Sequence, residues 1–204
     1  MRRARDLVPL ELSHRISNIF TVISGLVALS ARGQPEMRPF ARALQARIDA
    51  LAAAHRYLSA HDAALPSPPG PKTVKGLLRM LTAPYKGQCR ETIAVEGDDA
   101  PIGLQAAGML ALIVHEFATN AVKHGALSTE TGTVWITCAA ADGRYTIDWR
   151  EEGGLHLHGA PQHRGFGTAL SDRLVASAQL DIQRTWRPEG LEVSISMPLK
   201  ALDV

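Results

Sequence analysis

Apolar side chains return every three or four residues through the first third of the chain. Leu12, Ile16, Ile19, Ile23 and Leu26 follow steps of 4, 3, 4 and 3, the spacing of a helix with a heptad seam. The string Arg32, Gly33, Gln34, Pro35, Glu36 interrupts it as a short turn. A second helix repeats the pattern at Met37, Ala41, Leu44, Ile48, Leu51, His55 and Leu58. Two helices in about 60 residues leave such seams half covered. The hairpin is therefore expected to complete its core by dimerising through residues 8–63 into a four-helix bundle. His55, on the second seam, reads as a buried, hydrogen-bonded core histidine.

Four prolines between Leu65 and Pro71 exclude a helix or an inner strand. They divide the chain into a hairpin at 1–64, a linker at 65–72 and a second domain at 73–204. There the pattern changes. Val74–Tyr85 reads as a helix and Glu91–Val95 as a strand. Leu104–His124 reads as a long helix that buries Ala107, Leu110, Ala111, Val114, Phe117 and Ala121. Thr133–Cys138 and Arg144–Trp149 alternate as a hairpin turned at Asp142 and Gly143. A glycine-rich segment, a helix near Gly167–Ala178 and a hairpin of Ile182–Trp186 with Leu191–Met197 follow. Trp135 and Trp186 read as strand-core residues. The expected class is α+β, a sandwich with helices on one face of an antiparallel sheet.

Composition narrows the function classes. With 22 basic and 20 acidic residues the formal net charge is +2, too balanced for a nucleic-acid footprint. The longest apolar run, Ile19–Leu29, is broken by Thr21, Ser24 and Gly25 and falls short of a membrane span. Two cysteines, Cys89 and Cys138, have no metal or disulfide spacing and suit a reducing cytosol. A cytoplasmic protein is expected.

Three places carry candidate chemistry. His14 lies off the seam, on a polar stripe with Ser17, Asn18 and Thr21. An exposed neutral imidazole is a nucleophile, although a histidine on a polar helix face is by itself unremarkable. On the long helix Glu116, Asn120 and Lys123 fall at i, i+4 and i+7, so a carboxylate, an amide and an ammonium share one stripe. Such a stripe suits Mg²⁺ and phosphate and equally suits a solvated face. Finally, Gly153 and Gly154 follow a strand, and Gly165 and Gly167 precede a helix. Backbone amides freed by glycine can close on an anion, or the glycines can serve plain turns. His156, His158 and His163 hold a weak zinc spacing without a fourth ligand.

Taken together these strings resemble one family. Glu11 to Asn18 (Glu-Leu-Ser-His-Arg-Ile-Ser-Asn) is similar to the phosphoacceptor box of HWE-class bacterial sensor histidine kinases. Arg47 to His55 resembles the second helix of that hairpin. His115 to Leu127 resembles the N box, Trp149 to Gly154 the G1 region, and Gly165 to Thr168 the G2 box. The signature His, Trp and Glu would be His115, Trp149 and Glu151. Ser13 departs from the usual asparagine and Leu155 from a frequent proline, and neither is a reacting group.

The resemblance implies a dimerisation hairpin followed by a GHKL-type ATP-binding domain. His14 would take the γ-phosphoryl group of ATP and pass it to an aspartate on a response-regulator receiver domain. Glu116 would polarise His14, and Asn18 would orient a water for dephosphorylating the regulator. Asn120 would hold Mg²⁺, with Lys123 and His124 near the phosphates. Glu151 would read the adenine amino group, Gly165 and Gly167 would hinge the ATP lid, and Gly153 and Thr168 would complete the nucleotide site. The ~13 residues ahead of His14 are too few for a sensor domain, so the expectation is either a part of a longer kinase or a stand-alone protein that takes its input from a separate sensor protein. The alternative is a histidine phosphotransferase, relaying phosphate between receiver domains beside an ATPase-like domain that no longer binds ATP.

Overall fold

A computed structural model describes residues 3–59, 72–85, 92–154 and 180–203, with side chains from residue 13 onward in the first segment. The chain divides into two compact units, Met1–Pro71 and Lys72–Val204. The proline string at 65–71 and the helix expected near Gly167–Ala178 lie outside the described residues.

The first unit is a helical hairpin of α1 (Arg3–Ser30) and α2 (Arg38–Ser59), joined through a 3₁₀ turn at Pro35–Met37. Pro35 opens that turn and Pro39 is the second residue of α2, where a missing amide hydrogen costs no intrahelical bond. Met37 belongs to the turn and is exposed, so the seam of α2 begins at Ala41. Beyond Ile16, the heptad row of α1 is not the row that packs on α2. Ile16, Phe20, Ser24, Val27 and Ala31 are the more covered residues, and the Ser24 carbonyl accepts a bond from Gln45 Nε2 at 3.2 Å. Ile19 (55% exposed), Ile23 and Leu26 (58%) lie on a neighbouring face with Val22 and Leu29, all exposed within the chain. Helix α1 is thus apolar over two adjacent faces, and a strict 3.5-residue count passed over Phe20 and Val27. His55 is buried as expected. Its Nδ1 shares a 3.4 Å hydrogen bond with Ser59 Oγ, and its ring lies 6.2 Å from that of Phe20.

The second unit packs helices on one face of a five-stranded sheet. Its elements are α3 (Val74–Thr82), β1 (Ile93–Gly97), α4 (Leu104–His124), β2 (Thr133–Ala141), β3 (Arg144–Glu152), β4 (Asp181–Arg187) and β5 (Gly190–Pro198). Strand order is β1-β2-β3-β5-β4. Strand β1 starts two residues later than its pattern suggested and pairs parallel to β2. Helix α4 makes the crossover between them, so the sheet is mixed rather than antiparallel throughout. The β2–β3 hairpin turns at Asp142 and Gly143, both at positive φ (51° and 72°), the two-residue geometry that favours Asp-Gly.

Alternation along the strands separates the faces. Val134, Ile136 and Cys138 on β2, Tyr145, Ile147 and Trp149 on β3, and Leu191, Val193, Ile195 and Met197 on β5 are buried. With its neighbours facing inward, Trp135 faces outward and is 43% exposed; it is not a core residue. Trp186 is half-buried on edge strand β4. Helix α4 buries every residue its periodicity selected. Thr73 caps α3 by accepting the Gly76 amide at 3.2 Å, a cap worth about 1 kcal/mol. From α3, Lys75 Nζ donates to the Gly97 carbonyl and Arg79 Nη2 to the Val95 carbonyl at 2.9 Å, on the outer side of β1.

Candidate active site

Helix α1 presents His14 and Asn18 as exposed side chains one turn apart. Thr21 Oγ1 donates to the Ser17 carbonyl at 3.2 Å, so the polar stripe keeps its hydroxyl on its own backbone. The nucleophile expected from the sequence is solvent-accessible, on the side of the helix that α2 leaves open.

Helix α4 carries the second group. Phe117, Ala118 and Ala121 are buried, which fixes the rotation of the helix. Glu116 is then half-buried, while Asn120, Lys123 and His124 are exposed. Lys123 and His124 fall in the last turn, where the negative end of the helix dipole favours positive charge. The amide oxygen of Asn120 is a hard oxygen donor suited to Mg²⁺ once phosphate oxygens and waters complete its shell, and the Glu116 carboxylate lies one turn away.

The end of α4 is tied to β3 through Glu151. The residue is 3% exposed, and its carboxylate accepts the Ala126 amide at 2.9 Å and the Trp149 indole N–H at 3.1 Å. Burial pushes the carboxyl upward from its ordinary range, against the opposing effect of those two donors. Gly125 ends α4 at this point, and a Cβ there would lie 2.0 Å from Glu151 Oε2, so only glycine lets the carboxylate approach. The Trp149 ring packs 5.9 Å from Phe117, a pairing worth about 0.5–1.5 kcal/mol. Gly153 adopts φ 72°, and its carbonyl accepts Thr129 Oγ1 at 2.7 Å. Trp149, Glu151 and Gly153 thus converge where α4 gives way to the turn at Ala126–Ser128.

One polar contact had no sequence signal. Tyr85, in the 3₁₀ turn that follows α3, places its hydroxyl 2.9 Å from His115 Nδ1. Burial, and after it the charge of Glu116, push the phenol's ionisation upward. Gly165, Gly167 and Thr168, together with His156, His158 and His163, lie outside the described residues. Among the described residues no group of three His, Cys, Asp or Glu is placed to hold a metal, and no helix is long and apolar enough to cross a membrane. Cys138 is buried and reduced.

Known proteins bear on this arrangement. Residues 11–99 match the family model for HWE histidine kinase. Blue-light-activated histidine kinase 1 of Erythrobacter litoralis is 34% identical over 191 residues, covering 93% of this chain and 52% of that protein. The blue-light-activated histidine kinase of Rhizobium johnstonii is 31% identical over 204 residues, with the same coverage of 93% and 52%. The chain spans about half the length of these curated relatives. The histidine kinase domain of the Erythrobacter litoralis blue-light activated enzyme shares the fold, with a TM-score of 0.61 over 98% of this chain and 95% of that one at 20% identity.

Proposed function

We propose, from the match of residues 11–99 to the HWE histidine kinase family model, that the chain is a two-component kinase core that phosphorylates its own His14 from Mg-ATP. The second unit is then a GHKL-type nucleotide domain. The observation that carries the proposal is the α4 stripe, on which a half-buried carboxylate, an exposed amide and an exposed ammonium line up on a helix whose other face is locked in the core. Phosphoryl transfer depends on position and charge neutralisation. An imidazole nitrogen of His14 would attack the γ-phosphorus as the bond from phosphorus to the β,γ-bridging oxygen breaks and ADP leaves, with Glu116 the candidate acceptor of the imidazole N–H proton. Asn120 would hold Mg²⁺, which when bound offsets the charge of the triphosphate. Lys123 and His124 face the phosphates. In the resemblance's assignment Gly153, Gly165, Gly167 and Thr168 would belong to the nucleotide site, and Glu151 would accept the adenine amino group. The phosphoryl group then passes to an aspartate of a response-regulator receiver domain in the cytoplasm.

The exposed row Ile19, Ile23 and Leu26 supports a homodimer through 8–63, closing as a four-helix bundle. The phosphotransferase alternative leaves the α4 stripe without a task. One experiment tests the proposal: incubation of the full chain with labelled ATP and Mg²⁺, followed by acid and alkali treatment. The expected product is acid-labile, alkali-stable phosphohistidine, absent in His14→Ala while nucleotide binding persists. Asn120→Ala should lower Mg-ATP affinity in calorimetry about tenfold or more. Asn18→Ala should lengthen the life of the phosphorylated regulator. Label on His14→Ala would overturn the assignment.

A further inference from the structure

Tyr85 belongs to none of the motifs, yet its hydroxyl meets His115, the residue that precedes Glu116 on α4. It stands in a rigid setting. Helix α3 before it is buried at Leu77, Leu78, Leu81 and Thr82, and Thr82 Oγ1 donates to the Leu78 carbonyl at 2.8 Å. The phenol therefore reaches α4 from a fixed base. Among the described residues its hydrogen-bond partner is His115 Nδ1, at 2.9 Å. The phenol is protonated at neutral pH; when it donates in this bond, Nδ1 is the acceptor and the imidazole proton resides on Nε2.

His115 and Glu116 are consecutive, and their turn is held from a second side. Thr119 Oγ1 donates to the carbonyls of His115 at 2.9 Å and Glu116 at 3.1 Å. The side chain of His115 is thus tied to the 3₁₀ turn after α3, and its backbone to the following turn of α4. We propose that Tyr85 is a positioning residue for phosphoryl transfer: through its bond to His115 it fixes that imidazole in the Nε2–H tautomer and sets the turn of α4 that aims Glu116. This rests on the kinase assignment, and it gives the signature histidine a mechanical task. Reaction rates respond steeply to small displacements of an aligned group.

The test uses the full chain with Tyr85→Phe, which keeps the ring and removes the hydroxyl. The rate of phosphohistidine formation at saturating ATP should fall about tenfold, while the half-saturating ATP concentration stays within about twofold. Nitrogen-15 spectra of histidine-labelled protein should show His115 as a single Nε2–H tautomer in the wild type and as a mixture in Tyr85→Phe. A second pair guards against misfolding. His115→Gln keeps an acceptor for the phenol and should retain several times the rate of His115→Leu. Tyr85→Phe with an undiminished rate, an unchanged tautomer, or equal loss in both His115 variants would overturn the proposal. Absence of phosphohistidine on the wild type would sink the kinase assignment itself, which is a different result from a labelled wild type and an equally labelled Tyr85→Phe.

Discussion

In the helical unit Ile19, Val22, Ile23, Leu26 and Leu29 remain exposed along one side of α1. In the α/β unit the inward sides of β2, β3 and β5 are closed beneath α3 and α4, and Trp135 stands exposed on the outward row of β2 among Thr133, Thr137 and Ala139. The difference follows from geometry. Two helices touch along one stripe each, so an apolar surface wider than that stripe is left over. A sheet with helices on one side covers its apolar face within a single chain. The buried polar groups differ too. His55 is held back from taking a proton by burial first and then by the charge of Arg56, whereas burial holds Glu151 back from losing one.

The widest separation of the two units should come from Ile23→Lys with Leu26→Lys. Burying each apolar side chain contributes about 1.5–3 kcal/mol, and each occurs twice in a two-fold interface, so dimer affinity should drop about a thousandfold or more. Sedimentation of wild type and variant would show it, and a wild type monomeric at tens of micromolar would break the comparison. Gly125→Ala should do the reverse, leaving the association state unchanged while destabilising the α/β unit by about 2–3 kcal/mol through the clash with Glu151. All three tryptophans, Trp135, Trp149 and Trp186, lie in that unit, so the urea midpoint of their fluorescence reports it alone.

The smallest effects are the pH responses, which should have opposite signs. His55 has a folded value below the ordinary 6.5, so its neutral burial stabilises fully above 6.5, and that contribution is lost as pH falls through the folded value. Glu151 has a folded value above 4.5, so its contribution is full below 4.5 and is lost as pH rises through the folded value. Helical circular dichroism should weaken on the acid side, less so in His55→Leu. Tryptophan-detected stability should decline on the alkaline side of 4.5, and Glu151→Gln should flatten that decline.

The sequence was most informative where structure is local. Helix α4 was readable at both ends because its apolar positions recur at helical spacing between Gly103 and Gly125, and the β2–β3 hairpin because Asp142 and Gly143 suit one turn geometry. His14, Asn18, Asn120 and Lys123 were placed on exposed faces by the same counting. Non-local choices were hidden. Nothing in the strand pattern says that β1 pairs parallel to β2, or which side of the sheet takes Trp135. The bond from Tyr85 to His115 spans 30 residues and that from Ala126 to Glu151 spans 25. Such contacts are set by packing, and periodicity carries no record of them.

The outer side of β1 ends the sheet, and open carbonyls there would offer a template to another extended segment. Lys75 and Arg79 already occupy two of them, at Gly97 and Val95. A foreign strand arriving at this flank would have to displace two cations before forming its own ladder. The same two side chains that join α3 to the sheet thus act as a guard against runaway edge-to-edge pairing.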